Sequence, residues 1–280
     1  MLRADLKNMK TREPQAGAPR VVRTPRVSFR WLIELLWNLT TQRVSIRYKE
    51  TLLGFGWIFL QPVALTIIFN YIRRVADIPT GQIPYTLFVA AGLVPWSFTS
   101  LAVSQSSTCI AGNFSVLKRV ALPKILLPLS VILSTLADLM VMAFLLIGLF
   151  IYHHSCPPLS ILWIPLIFGV HLVLLVGLAC LLSITHVFLK DIGHATPHLL
   201  WLWFFGSPVF YPSSMIPREF ERLAAWNPMV GLIEGYRSVL LLGKPPSLDL
   251  FLPAALVSVG VLLLGLIVFR IMEDDLVDML

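Results

Sequence analysis

The chain has 280 residues, a formal net charge of +7, 13% charged residues and a mean hydropathy of +0.80. A soluble domain carries about 25% charged residues, so these values exclude a soluble enzyme or binding module and define a polytopic membrane protein. Eleven of the 22 Lys and Arg lie between Arg3 and Lys49, which reads as headgroup attraction and an orientation signal; nucleic-acid binding would need an aromatic-rich soluble domain to accompany the charge.

Residues 1–27 lack the apolar core of a signal peptide and are expected to form a flexible basic cytoplasmic tail. Over 28–50, Leu32, Leu35, Leu36 and Leu39 recur at helical spacing, with Trp31 and Trp37 suited to the headgroup level. This predicts an amphipathic helix lying along the cytoplasmic leaflet. A six-span, all-helical domain is expected over 51–272. Its first span, 52–72, is nearly charge-free and, at about 1.5 Å per residue, long enough to cross about 30 Å of hydrocarbon. Gly54 and Gly56 permit close helix approach and Pro62 a kink, while the missing Lys-Ser/Thr argues against a nucleotide loop.

A loop over 73–84 leads to a second span at 84–108, a polar connector at 109–124 and a third span at 125–152. A turn at 153–159 precedes the fourth span, 161–188. A tight turn at 190–194 precedes the fifth, 195–211. The segment 212–249 is semi-polar, the sixth span covers 250–270, and 273–280 is an acidic tail. With both termini inside, sixteen Lys/Arg face the cytoplasm and six do not, as the positive-inside rule prefers. Arg73 and Arg74 run against that rule.

Few residues are placed for covalent chemistry. Cys109, Cys156 and Cys180 have no metal-type spacing, and His153 and His154 beside Ser155 read as a solvated turn rather than a triad. Asp138, within the third span, is costly there and expected to face the protein interior, either as a neutral, hydrogen-bonded structural acid or as part of a path. His171 reads as a helix–helix hydrogen-bonding residue.

Several phrases recur in order: Arg-Tyr-Lys-Glu-Thr-Leu-Leu-Gly-Phe-Gly-Trp-Ile-Phe-Leu-Gln-Pro at 47–62, Lys190-Asp191-Ile192-Gly193-His194, Ser207-Pro208-Val209-Phe210-Tyr211-Pro212, Asn227-Pro228 and Gly235-Tyr236-Arg237. Together they resemble the membrane permease subunit of type-2 ABC exporters, in the branch that exports polysaccharides such as O-antigen and teichoic acid. The resemblance departs at Lys190, where the family carries Arg. Lys190 and Asp191 are expected to form a boundary ion pair.

The resemblance implies a homodimer in the bacterial inner membrane that pairs with two separate ATPase subunits. It implies that ATP and Mg bind there, with no cofactor on this chain, and that a lipid-linked glycan is moved through a central channel. It places a coupling element at Asn113, Phe114, Val116, Leu117, Lys118 and Arg119; read alone, that connector is a generic positive-inside loop. It places an external gate at Ser207, Pro208, Tyr211, Pro212, Asn227, Pro228, Tyr236 and Arg237, with re-entrant helices over 212–242. A glycan path needs aromatic and polar walls, for which Phe59, Tyr71, Tyr85, Trp96, Asp138, Trp201, Trp203 and Phe204 are candidates; membrane-interface packing is the competing role for the aromatics. Two other readings remain: an exporter of small hydrophobic drugs or lipids, and a membrane glycosyl- or acyltransferase, which would need acids or His clustered at one membrane face.

Overall fold

A computed structural model describes residues 28–49, 56–76, 78, 81, 83–117 and 122–279. They form helices without strands: α1 (Phe29–Lys49), α2 (Gly56–Ala76), α3 (Tyr85–Ser107), α4 (Leu126–Tyr152), α5 (Ile164–Phe188), α6 (Asp191–Phe205), α7 (Pro228–Leu240) and α8 (Leu248–Met279). The expected basic tail, 1–27, lies outside the described residues.

Among the described residues four helical segments are long and apolar enough to cross a membrane: Tyr85–Ser107, Leu126–Tyr152, Leu159–Phe188 and Leu248–Leu276. The expected first and fifth spans are helical but are not among these four. The expected first span is a helix, but it runs on through Arg73 and Arg74, and Gln61 and Asn70 further lower its apolar character. The expected fifth span is a 15-residue helix that starts at Asp191, inside the expected turn, and stops at Phe205. Gly206 and Ser207-Pro208 end it, because proline disfavours helical geometry in the residue before it. Finally, α8 continues through Glu273, Asp274 and Asp275, so the expected acidic tail begins as helix.

Small residues set the helix spacing. A Cβ on Gly265 of α8 would fall 2.3 Å from the Gly177 carbonyl oxygen of α5, and one on Gly177 would fall 2.6 Å from the Leu262 Cα. The two backbones therefore touch, as small-residue crossings in membrane bundles allow. Gly231 of α7 repeats the device against α8, where a Cβ would lie 2.2 Å from the Leu250 oxygen. At the centre, His171 of α5 joins Thr99 of α3 (Nε2 to Oγ1, 2.7 Å) and Tyr236 of α7 (Nδ1 to the hydroxyl, 3.4 Å). This is the helix–helix role expected of it.

The bundle has two distinct ends. At one, Cys109, Ile110 and Leu117 of the connector pack with Leu127, Ile184 and Phe269, and Leu35 and Leu39 of α1 lie against them. Burial pushes the Cys109 thiol up to about 12, so it stays protonated. At the other end, Thr86 meets His153 at 2.6 Å, and the Ser160 hydroxyl donates to the Val239 carbonyl at 2.7 Å.

Candidate functional site

The segment after α6 leaves helical geometry at Gly206 and re-enters it as short turns at Ser213–Met215, Arg218–Phe220 and Glu221–Ala225. Its carbonyls cannot pair within a helix, yet several are turned inward. A buried carbonyl without a donor is costly. Arg237 of α7 supplies the donors. Only 2% exposed, its guanidinium donates to the carbonyls of Pro208 (2.6 Å), Val209 (2.6 Å) and Tyr211 (3.3 Å), and to Phe88 of α3 (3.3 Å). Glu234, one turn earlier, balances the charge at 3.0 Å and also accepts from the Ser213 amide. The cation sits 3.7 Å from the centre of the Phe88 ring. Gly92 makes room for this, since a Cβ there would lie 2.8 Å from the guanidinium.

Asn227 is a second clasp. Its side-chain oxygen accepts from the Met229 amide, capping α7 ahead of Pro228, and from the Trp203 indole at 2.8 Å. Its amide donates to the Gly206 carbonyl and the Ser207 hydroxyl, both at 3.1 Å. Proline at the first helical position after a side-chain cap is a favoured helix start. Tyr85 joins from α3, donating to the Phe210 carbonyl at 2.8 Å. The structure therefore brings Ser207, Pro208, Tyr211, Asn227, Pro228 and Arg237 into one hydrogen-bonded unit, with Pro212 starting the next turn and Tyr236 reaching inward to His171. Asn227→Ala is expected to cost about 1 kcal/mol for the cap, with more for the unpaired indole; thermal melting of the detergent-purified chain checks it.

The aromatic candidates divide. Tyr85 and Phe204 are 2% exposed and Trp96 is 6%, so all three pack inside the helix bundle. Trp96 meets Trp203 edge-on at 5.7 Å and Phe204 at 5.4 Å. Trp201 and Tyr71 are exposed, and Phe59 is in α2 with its side chain outside the described atoms. Between α2, α3 and α6 a cavity of about 100 Å³ combines Trp96, Trp201 and Phe204 with Gln61, Ser100 and Ser104.

Asp138 does not join that wall. It is fully buried and pairs with Arg47 of α1, which also donates to Gln105 and, at 3.4 Å, to the Ser134 hydroxyl. The acid fastens α1 to α4 through an ion pair. Lys190 and Asp191 do not form the expected pair; both are exposed, and the turn is held by the Gly193 amide donating to His186 at 3.0 Å.

In the connector, Asn113 donates to the Cys109 carbonyl at 2.7 Å, and Phe114 is half-buried in a helical turn, Phe114–Leu117, whose Leu117 is buried. Val116 is in that turn with its side chain undescribed, and Lys118 and Arg119 lie outside the described residues. Beyond them, buried Lys124 donates to the Glu273 carbonyl of α8 at 2.8 Å. Glu234, Gly92 and Phe88 were not singled out from sequence. Only Glu234 carried a signal, one helical turn before Arg237.

Apolar helices of spanning length, an inward-turned loop clasped by one arginine and no gathered metal-binding cluster among the described residues define a multi-pass membrane protein built around a held loop. The chain belongs to the ABC-2 type transporter family, whose profile matches residues 34–241. It is a transport subunit by that membership. It is 29% identical over 250 residues to the O-antigen export system permease protein RfbA of Myxococcus xanthus, covering 87% of this chain and 94% of that one. The Klebsiella pneumoniae RfbA is 29% identical over 216 residues, 76% of this chain and 82% of that protein. The polysialic acid transport protein KpsM of Escherichia coli is 23% identical over 241 residues, 84% and 92% of the two chains.

Proposed function

We propose that the chain is the membrane subunit of an ATP-driven exporter that moves a lipid-linked polysaccharide across the bacterial inner membrane. The observation that carries this reading is the similarity, along most of the chain, to permeases named for O-antigen export and polysialic acid transport. The cavity of Trp96, Trp201 and Phe204 beside Gln61, Ser100 and Ser104 supports it. Aromatic faces suit the apolar side of a sugar, while amides and hydroxyls replace its lost water. On α2 and α6 the exposed Tyr71, Trp201 and Phe205 suit a surface closed by a second copy.

In this reading α2 and α6 complete six spans, both termini are cytoplasmic, and the chain works as a homodimer. Two ATPase subunits dock at the connector through Asn113 to Arg119 and hold the ATP and Mg. The turns and α7 over 212–242 form the external gate, with Arg237 and Asn227 holding its loop. Motion at the connector reaches the bundle through Leu117 and Lys124, both anchored in it.

Deletion of the gene tests the reading. Surface polymer should vanish while lipid-linked polymer accumulates inside. Absence of all polymer would favour a synthetic enzyme, and unchanged surface polymer would favour a small-molecule exporter.

A further inference from the structure

A cavity of about 320 Å³ lies between α1 and the end of α3, with Arg43, Arg47, Gln42, Gln105, Asn113 and Leu39 on its walls. Arg43 and Arg47 are one turn apart on α1 and share a face. Their situations differ. Arg47 is neutralised by Asp138. The Nε of Arg43 donates to the neutral Ser130 hydroxyl at 3.1 Å, and no carboxylate pairs with it among the described residues. Desolvation by burial pulls the Arg43 pKa down; the nearby Cys109 opposes this in part, and repulsion from Arg47 adds to it.

A partly buried cation without a counter-ion is relieved by an anion. The cavity offers one its donors. The terminal nitrogens of Arg43 are unused by Ser130, and Gln105 accepts from Arg47 through its oxygen, which leaves its NH2 to donate. Among the described residues no acidic side chain lines the walls. Leu39 and Ile46 border the same space, as a group attached to a hydrocarbon chain requires.

We propose that this cavity binds a phosphate or diphosphate group carried by a membrane lipid. Two sources share that chemistry: an anionic phospholipid headgroup, or the diphosphate of a lipid-linked glycan. The second deepens the export reading and rests on it; the first does not. Forked guanidinium donors with an adjacent amide fit such oxygens.

The test uses the full chain in dodecyl maltoside micelles, which contain no phosphate, with phosphatidylglycerol or undecaprenyl diphosphate added. Phenylglyoxal modification of Arg43 is followed by peptide mass spectrometry, with exposed Arg30 as internal reference. A bound lipid should slow modification of Arg43 about tenfold, the scale of one charge-assisted hydrogen bond, and leave Arg30 unchanged. Native mass spectrometry of Arg43→Gln should show a similar loss of retained lipid. If that variant does not fold, protection of the natural chain decides alone. Protection by phosphatidylglycerol as strong as by undecaprenyl diphosphate supports a headgroup site, and preference for the diphosphate supports a carrier site. Protection of Arg43 by neither lipid overturns the proposal. Because the assay reads binding without transport, that failure would leave the surface-polymer result independent.

Discussion

Replacing Arg237 with leucine is expected to destabilise the chain by about 3–5 kcal/mol, the range for breaking a buried ion pair by removing one partner. The loss has two parts. Glu234 would keep a charge with no cation beside it, and the carbonyls of Pro208 and Val209, each 2.6 Å from the guanidinium, would lose their donor inside the protein. Lysine should restore little, because its ammonium has three donors on one point and cannot reproduce the fork that reaches Pro208, Val209 and Phe88 together. The checks are the melting temperature of the detergent-purified chain and the protease sensitivity of the loop after Phe205. A lysine variant as stable as the natural chain would show that charge alone suffices.

Gly265→Val should be as damaging through packing alone. The added Cβ would need the space of the Gly177 oxygen, 2.3 Å away, and backbone cannot rotate aside as a side chain can. Overpacking costs about 1–3 kcal/mol in cores that can adjust, and this crossing has less room to do so, so separation of α5 from α8 is the expected outcome. Gly260→Val is the matched control, because a Cβ there meets nothing within 4 Å. The readout is the fraction of each variant that elutes monodisperse after detergent extraction. Equal yields would mean that α5 and α8 are not held at this crossing.

Much of the loop site could be read directly from the chain. Asn227-Pro228 announces a capped helix start, Ser207-Pro208 a helix stop, and the phrases around Tyr211 and Arg237 marked one region before any geometry was known. Asp138 was recognisable as an expensive residue needing an interior partner, but not as the anchor of α1. Ninety-one positions separate it from Arg47, and no local pattern encodes that pairing. Gly92 is similar: its need for a bare backbone exists only because Arg237 arrives from a distant helix. Helix limits depart from the expected span limits for a different reason. Hydropathy marks where a chain tolerates hydrocarbon, whereas hydrogen bonding decides where helix persists, so α2 passes through Arg73 and Arg74 and α8 passes through three acids.

The tie between Lys124 and the Glu273 carbonyl has a mechanical meaning. At about 1.5 Å per residue, α8 is a rod about 48 Å long. The connector grips it near one tip, and α7 lies against its other tip where Gly231 meets Leu250. A push at Lys124 would therefore reach α7 as a tilt, with α5 as the fulcrum at the Gly177–Gly265 crossing. Pro253 stands one turn inside the α7 tip, where its missing N–H leaves the rod its softest point. The lever is stiff along most of its length and compliant where it touches the arginine-held loop.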